Sequence, residues 1–106
     1  MLDTLQRQFE EASASDAAAH GITRDADWFI LKMHEEIGEL TQAWNRFSGR
    51  ARKQGRSDTE LKAALEDETA DLLGHVLLFA YRNGLELSPA IERKWRFRPT
   101  MPDDSR

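Results

Sequence analysis

Residues 25 to 47 repeat an apolar side chain at the pitch of an α-helix. Met33, Ile37, Leu40, Trp44 and Phe47 follow one another at spacings of four, three, four and three. That period places them along one side of a helix and excludes the strict alternation of a half-buried strand. The helix is expected from about Asp25 to Phe47, with Ser48-Gly49 as its stop. A second line of the same pitch, Leu65, Thr69, Leu72, Val76 and Phe79, follows Ser57 and Glu60, which sit in the reciprocal arrangement that opens helices. This segment also carries Leu73, Leu77 and Leu78 around its other sides before Asn83-Gly84 ends it. Apolar residues around most of a helix require burial on several faces. One small chain supplies that poorly, and pairing with another copy is the economical remedy.

Two shorter helices complete the reading. Residues 2 to about 15 place Leu2, Leu5 and Phe9 on one side, with the segment around His20-Gly21 as the end. Ser88-Pro89 is a favourable cap and first-turn pair for a short helix carrying Ile91, Lys94 and Trp95. No internal repeat and no sustained strand pattern occurs. The expected fold is all-α, an antiparallel helical bundle completed by homo-oligomerisation, with one domain over residues 1–97. The tail RPTMPDDSR, residues 98–106, has two prolines and little to bury, so it is expected to fray.

Several function classes drop out on composition. A chain with no cysteine has no disulfide framework and no thiolate zinc site. The most apolar stretch, LLGHVLLFAY at residues 72–81, is interrupted by His75 and too short to span a bilayer. The N-terminus lacks a basic segment followed by an apolar one, which makes a cytoplasmic protein without a membrane partner the simplest expectation. A formal net charge of -4 argues against a broad nucleic-acid surface, and no stable nucleic-acid partner is expected. The local exception is RFSGRARKQGR, residues 46–56, with Arg46, Arg50, Arg52, Lys53 and Arg56. It reads as a solvated loop first and as a phosphate contact second.

The acids flank the apolar lines. At about 100° per residue, Glu36 falls about 60° and Glu39 about 120° from Met33, with Lys32 between them. Glu35 lies farther round. Counting from Leu65 gives Glu68 and Asp71 the same two offsets, with His75 between them. If the two helices run antiparallel across a connection of about ten residues, the pairs converge at one edge of their interface. Four carboxylates held so close repel one another unless a cation joins them. A hard divalent ion suits carboxylate oxygens and leaves positions for water and substrate phosphates. The plainer alternative is a solvated face with ordinary pairs such as Lys32 with Glu36.

EEIGEL, residues 35–40, followed by ETAD, residues 68–71, resembles the EExxE and ExxD signature of the MazG-like all-α nucleotide pyrophosphohydrolases. The likeness runs on through LLGHVLLFAYRNGLELSPAIERKW, residues 72–95, and covers roughly residues 28–95. It implies Mg²⁺ as cofactor, hydrolysis of nucleoside triphosphates to monophosphate and pyrophosphate, and a homodimer or dimer of dimers. It also implies a house-cleaning or general nucleotide hydrolase. By matching position, Glu36, Glu39, Glu68 and Asp71 correspond to metal ligands. Glu35 matches an additional glutamate that binds a further ion or orients water. Lys94 matches a late basic residue at the phosphates. The family often has an asparagine after that lysine, whereas here WRFR follows, so Arg96 and Arg98 are expected beside Lys94 as phosphate contacts, with Lys32. ADLLGHVLLF, residues 70–79, is similar to an ADLLYH-type segment of phosphoribosyl-ATP pyrophosphohydrolase, the nearest alternative enzyme. A non-catalytic helical interaction module is the alternative from another class.

Other residues take plainer readings. His75 either meets a metal carboxylate or a phosphate, or is a satisfied polar group in a buried helix, and the second is favoured. His34 points away from the acids and His20 falls in an irregular segment, so no zinc set emerges. Trp28, Trp44, Phe47 and Phe79 are expected in the core, while Trp95, beside Lys94, is divided between core and base stacking. SGRARKQGR lacks the GK[ST] ending of a P-loop.

Overall fold

A computed structural model describes residues 2–99. Among them are four helices and no strand: α1 (Leu2–His20), α2 (Ala26–Phe47), α3 (Asp58–Arg82) and α4 (Leu87–Trp95). The all-α expectation holds. None of these helices is long and apolar enough to cross a membrane. The expected frayed tail falls, from residue 100 on, outside the described residues.

Local sequence sets the helix ends. Asp25 caps α2 by accepting from the backbone N–H groups of Asp27 and Trp28 at 3.0 and 2.8 Å. Ser57 and Glu60 form the expected capping box: the Ser57 N–H donates to Glu60 Oε1 at 2.8 Å and the Glu60 N–H to Ser57 Oγ at 3.1 Å. Those bonds hold the Glu60 carboxyl below its usual range. After α2 the Arg50 N–H reaches Asn45 O at 2.8 Å, and after α3 the Leu85 N–H reaches Ala80 O at 2.9 Å. Both closures pass through a glycine with positive φ, Gly49 at 85° and Gly84 at 64°, a backbone that a β-carbon resists.

Two boundaries differ from expectation. α1 continues to His20, whose Nδ1 sits 2.9 Å from Asp16 O and 3.1 Å from Asp16 Oδ1, so this histidine closes a helix. A run of alanines and serines has no breaker before Gly21. α4 starts at Leu87 with Glu86 as N-cap, which makes Ser88 and Pro89 interior to the first turn. Proline is tolerated there because a first-turn N–H has no helical partner in any case.

The chain divides into two compact units. One, the central unit, is Thr23–Val76 and contains α2 and most of α3; the other, the terminal unit, takes α1, the last turns of α3 from Leu77, and α4. In the terminal unit Gln6, Ala17, Leu77, Leu78 and Ala80 are buried. In the central unit Phe29, Glu36, Ala43 and Leu61 are buried. Within that unit α2 and α3 run antiparallel, because Glu36 lies beside His75, whereas Phe47, at the other end of α2, shares a cavity with Leu65.

The burial corrects the apolar lines read from the sequence. Ile37, Trp44 and Phe47 are 49%, 45% and 38% exposed, and Thr69 is also exposed. The face of α2 turned into the unit is Phe29, Glu36 and Ala43, flanked by half-buried Lys32, Met33 and Leu40. On α3 it is Leu61, Leu65, Glu68, Leu72 and His75. Both packed faces are rotated onto the acid-bearing side. Trp28 and Phe79 are half-buried, in keeping with a core role, but Trp44, Phe47 and Trp95, the last 74% exposed, are not core residues of this chain.

Candidate metal centre

The antiparallel pairing gathers acids from both helices. Glu36 and Glu39 come from α2, one turn apart, and Glu68 from α3. Each offers a carboxylate oxygen, and these oxygens all lie within 4.8 Å of one another. Glu36 is only 6% exposed, Glu68 is half-buried, and Glu39 faces solvent. The trio therefore has a sealed floor and an open side.

Burial pushes the Glu36 carboxyl up to about 7, and the hydrogen bond and charge of Glu39, with the charge of Asp71, push in the same direction; Lys32 opposes them. Glu68 is raised as well, first by burial and then by the charges of Glu39 and Asp71. Lys32 offsets only part of the negative charge gathered here. Two buried oxygens, Glu36 Oε2 and Glu68 Oε2, have no hydrogen-bond partner. Orphaned carboxylate oxygens from neighbouring helices are hard donors, the kind that suit a divalent cation such as Mg²⁺ or Ca²⁺. The residues present fit such an ion.

His75 lies against this floor. Its Nε2 is 3.7 Å from Glu36 Oε1, too long for a hydrogen bond, and its ring meets Trp28 edge-on with centroids 5.9 Å apart. Its Nδ1 is sealed and unpartnered, so the expectation of a satisfied core histidine fails. Burial first, then the Lys32 charge, lowers its pKa below the ordinary 6.5. Burial thus favours the neutral imidazole, beside a carboxyl whose pKa burial also raises. Sequence spacing placed His75 beside the acids but had no signal for this missing partner.

The remaining expected site residues fall elsewhere. Asp71 is exposed and stands outside the trio, although its charge acts on Glu36, Glu68 and His75. Glu35 is exposed and accepts from Lys32 Nζ at 3.2 Å, and that ammonium also sits 5.9 Å from the centre of the Trp28 ring. Lys94, Arg96 and Arg98 are exposed in the terminal unit, where Arg98 pairs with Glu92 at 3.4 Å. In the basic segment Arg50, Arg52, Lys53 and Arg56 are exposed, and Lys53 approaches Asp58 at 3.8 Å, as a solvated loop would have it.

No family model, no curated protein and no solved structure matches the chain. The chemistry of the site therefore rests on its own residues.

Proposed function

We propose that the chain is a Mg²⁺-dependent hydrolase that cleaves nucleoside triphosphates to monophosphate and pyrophosphate. The observation that carries this reading is the convergence of Glu36, Glu39 and Glu68 oxygens within 4.8 Å, with two buried oxygens unpartnered. The nucleotide as substrate rests on the resemblance of EEIGEL and ETAD to the MazG-like signature.

Glu36, Glu39 and Glu68 would hold the ion, and Asp71 adds negative charge at its border. When bound, a divalent cation neutralises phosphate charge and makes water a stronger nucleophile. Glu39, the solvent-facing member, marks the side from which a triphosphate enters. Water attacks the α-phosphorus, the bond to the α–β bridging oxygen breaks, and pyrophosphate carries away the bond's electron pair. Glu35, outside the trio and beside Lys32, is assigned to orient that water and take its proton. Lys32 supplies positive charge near the phosphates. Lys94, Arg96 and Arg98 belong to the terminal unit, and the proposed reaction assigns them no step.

A second copy of the chain belongs to this reading. Ile37, Trp44 and Phe47 form an exposed stripe on α2, and Phe47, Leu65, Ala70 and Leu73 line an open apolar cavity of about 410 Å³. A homodimer that covers them accounts for Ile37, Trp44 and Phe47 lying outside the packed face.

The test is pyrophosphate release from a panel of NTPs and dNTPs, with phosphoribosyl-ATP included, in Mg²⁺ and in chelator. Metal-dependent release that falls at least about a hundredfold in Glu39→Gln and Glu68→Gln is expected, since even outer partners of metal ligands are worth 10–100-fold. Cleavage of phosphoribosyl-ATP alone would transfer the chain to the histidine-pathway activity. No turnover of any nucleotide would leave a helical binding module.

A further inference from the structure

We propose that residues 93–98, RKWRFR, form a docking element for single-stranded nucleic acid. Four cations and two large rings interleave in this stretch, which lies in the terminal unit and to which the proposed reaction assigns no step. Between half-buried Ile91 and Pro99 every residue from 92 to 98 is exposed, Trp95 at 74% and Phe97 at 56%. Single exposed apolar residues are ordinary, but two bare rings spaced two residues apart are a feature. Among the described residues neither ring packs against another ring or lies beneath a cation. Arg93, Lys94 and Arg96 form no ion pair among them either, while Arg98 meets Glu92 at 3.4 Å.

The backbone adds a second observation. Arg96 closes α4 in the left-handed conformation, at φ 65°, with its N–H on Glu92 O at 3.0 Å. Glycine is the ordinary choice there because a β-carbon is strained in it, and the turns after α2 and α3 do use Gly49 and Gly84. Arg93 and Lys94 suit the last turn of a helix, where cations meet its dipole. That reason explains neither an arginine in a glycine position nor the bare rings beside it.

Charge and ring faces together select the occupant. A single strand offers phosphates to the cations and unstacked bases to the rings, the two contacts that sequence-tolerant strand binding combines. An acidic peptide would answer the cations and leave the rings uncovered. A lipid surface asks for apolar side chains on one face and cations on another, whereas here Lys94 and Arg96 flank Trp95, and Arg96 and Arg98 flank Phe97. The net charge of -4 underlies the expectation of no stable nucleic-acid partner. It weighs against a broad surface, not against one short basic element.

The experiment uses the full chain and two labelled strands of about twelve nucleotides, oligo-dT and oligo-U, followed by anisotropy and tryptophan quenching. Binding of either supports the element, and the pattern tells whether the 2′-hydroxyl is read. Trp95→Ala and Phe97→Ala, both at exposed positions, are each expected to weaken binding at least about fivefold, the lower end for one stacked base. Trp95→Ala is also expected to abolish the quenching. Log affinity against log salt is expected to have a slope of about -2, for three phosphates, and to flatten by about 0.7 in Arg96→Gly. That substitution relieves the backbone as it removes the cation, so its melting temperature is expected to hold or rise, which separates lost contact from lost fold. Binding of neither strand, affinity undiminished in both ring variants, or an unchanged salt slope in Arg96→Gly would overturn the element. Binding to phosphatidylserine vesicles or polyglutamate in place of the strands would do the same. None of these variants touches the carboxylates of the central unit, so strand binding and pyrophosphate release succeed or fail separately.

Discussion

The two long faces of α2 differ in what the chain does with them. One, through Phe29, Glu36 and Ala43, is packed against α3 and contains a carboxylate; the other, through Ile37, Trp44 and Phe47, is richer in large apolar groups and faces solvent. A helix that buries a glutamate and leaves a tryptophan outside is not following hydrophobicity within one chain. The buried acid makes sense if a cation joins it, and the exposed stripe makes sense if another surface covers it. One face thus carries a buried carboxylate with an unpartnered oxygen, and the other an exposed apolar stripe.

The sharpest way to break this contrast is truncation on each face. Phe29→Ala removes a ring that is 1% exposed and is expected to cost about 3–5 kcal/mol in urea unfolding. Trp44→Ala, on the outer face, is expected to leave the stability of the dissociated chain within about 0.5 kcal/mol while weakening self-association in sedimentation. Equal costs at both positions would mean that the two faces are not distinct.

The acid face has a pH signature. With Glu36 raised from 4.5 to about 7, the folded chain keeps a proton that the unfolded chain has already released across that interval. Stability therefore falls as pH rises from about 4.5 to about 7, by at most about 3 kcal/mol. His75 acts oppositely: its folded pKa is lowered, so the folded chain binds fewer protons and gains stability as pH climbs toward 6.5. Denaturant titrations in chelator should show the net loss toward neutral pH, and Mg²⁺ or Glu36→Gln should remove it. A chelated wild-type chain equally stable at pH 5 and pH 7.5 would contradict the uncompensated charge.

Smaller effects test the frame that holds the faces. Ser57→Ala breaks one half of the capping box and is expected to cost about 1 kcal/mol. Gly38 sits within α2 with open space where a β-carbon would go, so Gly38→Ala is expected to stabilise the dissociated chain by about 0.5–1 kcal/mol in thermal unfolding. If that same change weakens self-association, a second copy passes close to Gly38.

The capping box at Ser57, the glycine stops at Gly49 and Gly84, and the α2 cap at Asp25 were legible because each is a local rule of backbone satisfaction. Of the four acids expected to converge, Glu36, Glu39 and Glu68 do and Asp71 stands outside, because periodicity fixes relative angles within a helix but not how far each side chain reaches across to the next. What periodicity does not fix is the helix's absolute rotation against its neighbour. The line Met33–Ile37–Leu40–Trp44–Phe47 reads as the inner face because large apolar groups lie on it, but the rotation is decided by the α3 side chains that α2 meets, which leaves Met33 and Leu40 half-buried and Ile37, Trp44 and Phe47 exposed. Sequence order also missed the orphaned Nδ1 of His75, since an unpartnered atom is a property of packing and not of spacing.

The connection between α2 and α3 is pinned at both ends, by the closure through Gly49 and by the Ser57–Glu60 exchange. Between these pins, residues 50–56 are exposed and support no helix. The register of the acids is therefore insulated from the length of this segment. Lengthening it adds loop-closure entropy of only about 0.6 kcal/mol per doubling, so this is where the chain can accept inserted sequence, or a grafted recognition element, without disturbing the carboxylates on either side.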